Sequence, residues 1–439
     1  MKKTWFIIAL ISSLLLGACQ KAPEEPVHQH TFGDWVLQER STCVKEGREN
    51  RRCSECGFTE SRSIEKLAHR VDAYNICKDC MRIEFDDSAD FVELGVVCNN
   101  WYGGGDTATT AWDVKVWNGK VYRGAGDYGE NSGVTKILAY NIGQKTWEVA
   151  GVANDEAIHR FVEINGTLYS PGIDPTGNWS SGNYYVLDEN GKFQLHRTLP
   201  NGVHCFDMIE FDGKVFAGLG TEKKSKTIAF APVGSEDFQF VPLYKDGKVF
   251  PTSSYSWTRT YDFVEYNGSL YALVSLQMGI GSRYVVFRYE DGKMVYQAEA
   301  GSLISGISTG RNYWEGDFQF NGACYLTANH LYAITDFSNP DTWKKIEMPN
   351  QEQVCDAFLR DGVIYVLANK QTTKNGVRNH HAVVYKSTTG QEGSFEEILS
   401  FDYPVMPCAF DWDGQYFYIG MGSYGSAEKG GMLLRVKPT

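Results

Sequence analysis

An Asn-Gly or Asp-Gly pair recurs along the chain, and seven copies share one pattern, at Asn118-Gly119, Asn165-Gly166, Asp212-Gly213, Asn267-Gly268, Asn321-Gly322, Asp361-Gly362 and Asp413-Gly414. Each pair follows an alternating run. Each also has an aromatic residue four positions after its Asn or Asp: Tyr122, Tyr169, Phe216, Tyr271, Tyr325, Tyr365 and Phe417. Asn-Gly and Asp-Gly supply the positive φ values of a two-residue type I′ turn, so each copy predicts a β-hairpin. The aromatic on the returning strand is expected to pack across to the next sheet. Successive copies lie 47, 47, 55, 54, 40 and 52 residues apart. Strand–turn–strand units at such periods are the signature of propeller blades, and seven copies predict seven blades. The 45 glycines and the 14% of aromatic residues suit many short strands joined by tight turns. No long stretch outside the N-terminus has helical apolar periodicity. The expected fold is therefore all-β, a seven-bladed propeller over residues 89–439.

The segment "ADFVELGVV" (89–97) precedes the first full blade and the chain finishes on "GGMLLRVKPT". The former is expected to add an outer strand to the last blade, which removes an exposed sheet edge. The blades resemble kelch and Asp-box repeats, with "NIGQKTWEV" and "SNPDTWKKI" similar to their outer-strand ends. The full Asp-box is missing, so a sialidase is not implied. "GAGDYGENSG", "YSPGIDPTGNW" and "GVHCFDMIEFDGKVFAGLG" resemble a bacterial family of uncharacterised propellers. That resemblance implies a fold and no activity.

Aligned on the turn, the position five residues earlier holds Asp113, Arg160, Asp207, Asp262, Gly316, Asp356 and Cys408, with Asp317 one place later in the fifth copy. A repeated Asp in a repeated fold ordinarily caps a loop or links neighbouring blades, since a buried carboxylate needs donors. Glu163, Glu210 and Glu265, two residues before their turns, invite the same reading. Cys205, Cys355 and Cys408 read as small core residues.

The residues that break the repeat say more. His159, Arg160, His204, Arg259, Tyr261, Arg311, Tyr313 and Glu315 fall just before inner strands, opposite the turns. The loops leaving the second strands return to that same end, carrying Asp127, Glu130, Asp174 and Trp179. His159, Arg160, His204, Asp207, Arg259, Tyr261, Asp127, Asp174 and Trp179 are thus the candidate ligand-binding residues, gathered around one mouth of a central channel. Trp179 and the tyrosines would stack on sugar rings, and the arginines would hold a carboxylate bidentately. Singly, each has a plainer role: a lone histidine is usually a structural hydrogen-bonder and a lone arginine usually pairs with a surface carboxylate. No motif names a nucleophile, no phosphate-cradling Gly loop precedes a helix, and no His-Glu-x-x-His occurs. Calcium at Asp127 and Asp174 has no EF-hand spacing behind it. The reading is a binding propeller for an extracellular glycan or protein. The alternatives are a glycan-active enzyme, either a hydrolase with paired carboxylates or a lyase with a His or Tyr base, and a scaffold without a small ligand.

"MKKTWFIIALISSLLLGAC" (1–19) has two lysines, an apolar run and a small-residue end, which is a secretion signal. Leu16-Gly17-Ala18-Cys19 resembles the bacterial lipobox, which implies diacylation of Cys19 and a mature protein anchored to the extracytoplasmic face of the cell membrane. Losing Lys2 and Lys3 with the signal takes the net charge from −12 to −14. An acidic chain with no basic stripe argues against a nucleic-acid partner. "QKAPEEPV" (20–27) reads as a tether.

Residues 28–85 hold Cys43, Cys53, Cys56, Cys77 and Cys80, including the knuckles "CSEC" and "CKDC" separated by 20 residues. That spacing fits a zinc ribbon with Cys53, Cys56, Cys77 and Cys80 around a structural zinc. His30, Cys43 and His69 compete as ligands, and disulfides are the alternative in an exported protein. "HTFGDWVLQERSTCVKEGRENRRCSECG" and "HRVDAYNICKDC" resemble a module that recurs in surface proteins of Gram-positive bacteria, and either chemistry makes the module structural.

Overall fold

The computed structural model describes residues 29–95, 110–126, 134–221, 226–278, 281–300, 315–374, 377–422 and 429–438. The expected signal, Cys19, the tether, Asp127, Glu130, Arg311 and Tyr313 lie outside them. The chain divides into two compact units between His69 and Arg70.

In the first unit, Val36–Glu39, Gly47–Arg52 and Thr59–Ile64 form an antiparallel sheet in that order. The Cys53–Cys56 knuckle turns the chain between the second and third strands. Gly57, at φ 74°, completes that turn. Arg51 lies 4.4 Å from the Phe32 ring centre and 4.6 Å from that of Trp35, and Arg62 covers Trp35 at 4.2 Å. Cation–π contacts and thiols take the place of an apolar core here. Among its described residues only Cys43 and Cys53 are buried hydrophobics.

The second unit is all-β, and among its described residues the helices are two short 3-10 turns. The unit begins earlier than the expected blade region at residue 89. Ile76 and Ile83 are buried with Leu94, Leu138, Tyr140 and Trp147. The Ile83 amide donates to the Lys145 carbonyl and the Trp147 amide to that of Met81, each over 2.9 Å. The apolar residues around the second knuckle thus complete the core of the first sheet. Composition counted them with the cysteines and set the module's end at residue 85.

The hairpins form as expected at six of the seven pairs. Asn118 and Gly119 have φ 47° and 75°, and Asp361 and Gly362 have 52° and 73°, with matching values in the four pairs between. The flanking residues pair directly, as in Trp117↔Lys120 and Phe211↔Lys214. The seventh pair departs from the expectation. Trp412 pairs with Phe417, leaving a four-residue loop in which only Gly414 has positive φ. The Asp413 carboxylate accepts from the amides of Gln415 (2.8 Å) and Tyr416 (2.7 Å), so an Asx-turn closes the chain instead.

Each hairpin opens an antiparallel sheet of four strands. The first sheet is Val114–Trp117, Lys120–Arg123, Thr135–Asn141 and Thr146–Ala153. The sheets that begin at Gly202 and Trp257 are joined edge to edge through Gly220↔Arg259. In the last sheet the fourth strand is Phe91–Gly95, antiparallel to Leu433–Val436, so the start of the unit supplies the outer strand as expected. The core also runs from sheet to sheet, the last packing Ala409, Tyr418 and Leu433 against Leu138 and Tyr140 of the first. The sheets' leading segments line one cavity of about 380 Å³, from Val114 of the first to Phe410 of the last. Successive four-stranded sheets around a cavity, with the last completed from the start of the unit, make this a β-propeller.

Candidate functional site

The repeated aspartates are spent on holding the sheets together. Asp113 accepts from the amide of Val114 at 2.7 Å and from that of Phe161, in the next sheet, at 2.6 Å. Asp356 does the same with Ala357 (2.8 Å) and Phe410 (3.0 Å); Asp411, two residues before its turn rather than five, also bridges sheets, accepting from Trp412 (2.7 Å) and Val116 (2.8 Å). A β-bulge falls beside the aspartate in several inner strands, between Cys205 and Asp207, Thr260 and Asp262, and Val354 and Asp356. The bulge turns the carboxylate toward the neighbouring strand.

Asp207 and Asp262 bend this rule around Arg160. Asp207 accepts from the Phe263 amide at 2.8 Å, but its other oxygen lies 2.8 Å from Arg160 Nη1. The same nitrogen is 2.7 Å from Asp262 Oδ1. Burial, then Asp207 and Asp317, push the Asp262 carboxyl well above the usual carboxylate range. Burial pulls the guanidinium down, but Asp207 and then Asp262 carry it well above its ordinary value. Asp317, open to the cavity, is pushed up to about 6 by loss of solvation and then by Asp207. Arg160 and Asp207, expected among the ligand-binding groups, thus form a buried ion cluster. His159 is buried too, with Nε2 3.0 Å from the Phe206 carbonyl.

His204 and Arg259 are placed differently. One row of paired residues crosses several sheets: Ala157↔Ile173↔His204↔Gly220↔Arg259↔Ser275. Residues paired across a ladder present their side chains to the same face. His204 Nδ1 is 2.9 Å from Asp174 Oδ1, an electrostatic contact rather than an aligned hydrogen bond. Asp174 reaches it from a left-handed backbone, φ 55°, which Asp tolerates better than most residues. The imidazole stacks on Phe206, centres 5.1 Å apart and planes at 20°. Gly220 leaves the room for this: a Cβ there would lie 2.6 Å from the imidazole and 3.0 Å from the Phe206 ring. The Arg259 guanidinium lies 5.8 Å from that Phe206 ring and 4.8 Å from Trp257, which is 51% exposed. Among the described residues no carboxylate pairs with Arg259. Tyr261 is buried edge-on against Phe206 at 4.6 Å, supporting it from below. Trp179 is 49% exposed on the loop beyond Asp174.

The sequence reading missed Asp155. Its Oδ2 accepts from Asn183 Nδ2 at 2.9 Å and from the Tyr185 hydroxyl, while Oδ1 is buried with no hydrogen bond from the described residues. Burial pushes this carboxyl up to about 6. Only glycine fits at position 172, where a Cβ would meet that carboxylate at 2.7 Å. Asp155 stands outside the aligned repeat positions, so nothing in the pattern flagged it.

In the first unit, the donor atoms of His30, Cys53 and Cys56 all lie within 4.8 Å of one another, and His30 Nδ1 is 3.2 Å from Cys56 Sγ. Phe58 stacks on the His30 ring at 4.7 Å and holds its orientation. Two thiols and an imidazole are a donor set that suits zinc. Of the expected four cysteines, Cys53 and Cys56 gather with His30, and Cys77 and Cys80 fall in the second unit. Cys205 and Cys324 are buried free thiols. Burial pushes the Cys205 thiol well above its ordinary value, as befits a core residue.

No family model and no curated protein matches the chain. Among solved structures it is similar to the β-propeller domain of the Trilobed protease from Pyrococcus furiosus, at 12% identity and TM-score 0.43, over 75% of this chain and 94% of that one. It is also similar to BamB from Moraxella catarrhalis, at 11% identity and TM-score 0.38, over 75% and 85% of the two chains. The computationally designed Ika8 protein is similar at 10% identity and TM-score 0.41, over 79% and 99%. Likenesses this distant carry no argument about activity.

Proposed function

We propose that the protein is a lipid-anchored surface protein whose second unit, a propeller of seven blades, binds an extracellular glycan or protein at the end bearing His204 and Arg259. The observation that carries this reading is the contrast between two arginines. Arg160 is consumed by Asp207 and Asp262, whereas Arg259 rests on an exposed Trp257 with no carboxylate partner among the described residues. A cation with no carboxylate partner among the described residues, placed beside an oriented imidazole, is suited to an external ligand. Screening the full chain and its His204→Ala variant against a glycan library tests this. A ligand retained by the parent and lost by the variant is expected, and a library with no His204-dependent ligand would count against the proposal.

In the same proposal the first unit is a structural module held by zinc through His30, Cys53 and Cys56. The anchor rests on the lipobox ending at Cys19. Each buried methylene contributes about 0.8 kcal/mol, so two acyl chains hold stably. The parent is expected in the detergent phase on phase partitioning and Cys19→Ala in the aqueous phase. Recovery of both in the aqueous phase would rule the anchor out.

A further inference from the structure

We infer that the ligand held by His204 and Arg259 is a carboxylated sugar, an inference that rests on the binding reading above. Three features of the end of the propeller point to an anion. Arg259 has no carboxylate partner among the described residues, and its guanidinium lies 4.8 Å from the Trp257 ring centre. A guanidinium offers its fork of N–H donors to a planar carboxylate, the geometry in which arginine exceeds lysine. His204 stands on the same face one row away across Gly220, and both groups lie within 6 Å of the one Phe206 ring. Its Nδ1 is turned to Asp174, which leaves Nε2 as the ring's other polar atom.

A sugar, rather than a bare anion, follows from the exposed aromatic surface. Half of Trp257 is open to solvent beside the guanidinium, and a flat ring of this size suits the apolar face of a pyranose. A simple carboxylate would leave that surface unused. The chain itself is strongly acidic, at −12, so the Arg259 guanidinium at a sheet junction is a local reversal of sign. Such a reversal draws an anionic ligand.

The test uses hexagalacturonate and the same oligomer after reduction of its carboxyls to alcohols, each titrated calorimetrically into the full chain. The acidic oligomer is expected to bind and the reduced one to bind at least tenfold more weakly. Arg259→Gln should weaken the acidic oligomer by about 10- to 100-fold, the loss of a charge-assisted pair. Arg259→Lys, which keeps the charge but not the fork, should fall between. Equal binding of the two oligomers, both lost in His204→Ala, would overturn the carboxylate inference and leave the binding reading standing. Failure of the acidic oligomer to bind while the glycan library yields a neutral His204-dependent ligand would do the same. Failure of the binding reading itself would show separately, as a library without any His204-dependent ligand.

Discussion

Replacing Arg160 with methionine is expected to destabilise the second unit by about 3–5 kcal/mol, the range for breaking a buried ion pair on one side. Arg160 is the guanidinium between Asp207 and Asp262, at 2.8 and 2.7 Å, with Asp317 close enough to raise Asp262 further. Methionine fills a similar volume, so the loss is electrostatic rather than a cavity effect. Without the cation, at least one carboxylate must take a proton or face another on the largely buried wall of the cavity. The deficit should therefore be largest near neutral pH and shrink as the pH falls below about 5, where the carboxyls protonate in the unfolded chain as well. Adding Asp262→Asn to Arg160→Met should restore part of the loss, because the two residues share one cluster and their effects do not add. Urea unfolding of the parent and the two variants measures this. A loss below 1 kcal/mol for Arg160→Met would show that the cluster is solvated and that Arg160 is available to a ligand after all.

Stripping metal from the protein is expected to unfold the first unit and leave the propeller intact. Residues 29–69 bury almost no apolar surface, with only Cys43 and Cys53 among the buried hydrophobics. A sheet of three short strands without a core is marginal in water. Zinc held by thiolates and imidazole contributes on the order of 10 kcal/mol to comparable small folds. After chelation, trypsin should cut at Arg51 and Arg62 about 100-fold faster, while cleavage within the propeller stays unchanged. Cys56→Ser should reproduce the effect without chelator. Elemental analysis showing no metal, with thiol counting showing disulfides, would replace this account with oxidative cross-linking.

How far the fold could be read in advance follows from which interactions are local. Asn118-Gly119 and its kin were legible because a two-residue hairpin needs positive φ at both positions, and few other dipeptides supply it. The seventh pair misled because Asp413 has a second option, closing the turn with its side chain rather than its backbone. Asp113 and Asp356 were read as links between blades, and their hydrogen bonds to Phe161 and Phe410 are of that kind.

The site itself was half legible. His204 and Arg259 stood out because they break the repeat, and Asp174 because its loop returns to the same end. What unites them is the ladder Ile173↔His204↔Gly220↔Arg259, which joins strands of different sheets and leaves no local pattern. Arg160 and His159 stood out for the same reason, yet they face inward, where Asp262 and the Phe206 carbonyl were waiting. A broken repeat marks a specialised position and does not say which way its side chain turns. His30 was one of several ligands open to the first unit, and its selection over Cys77 and Cys80 depends on contacts distant in sequence.

The most direct test of the central claim is a thermal melt and a calorimetric titration on the same His204→Ala protein, using the tightest ligand from the glycan library. His204 is a partly exposed group at the end of the propeller, with its side chain 14% accessible, so removing it leaves Asp174 able to take up water. The account expects affinity to fall at least tenfold, about 1.4 kcal/mol, while the melting temperature stays within about 2 °C of the parent. A melting temperature lowered by several degrees with affinity unchanged would make His204 a strut between sheets and contradict the claim, and so would turnover of the glycan that disappears with the imidazole, which would make the Asp174–His204 pair the base of an enzyme.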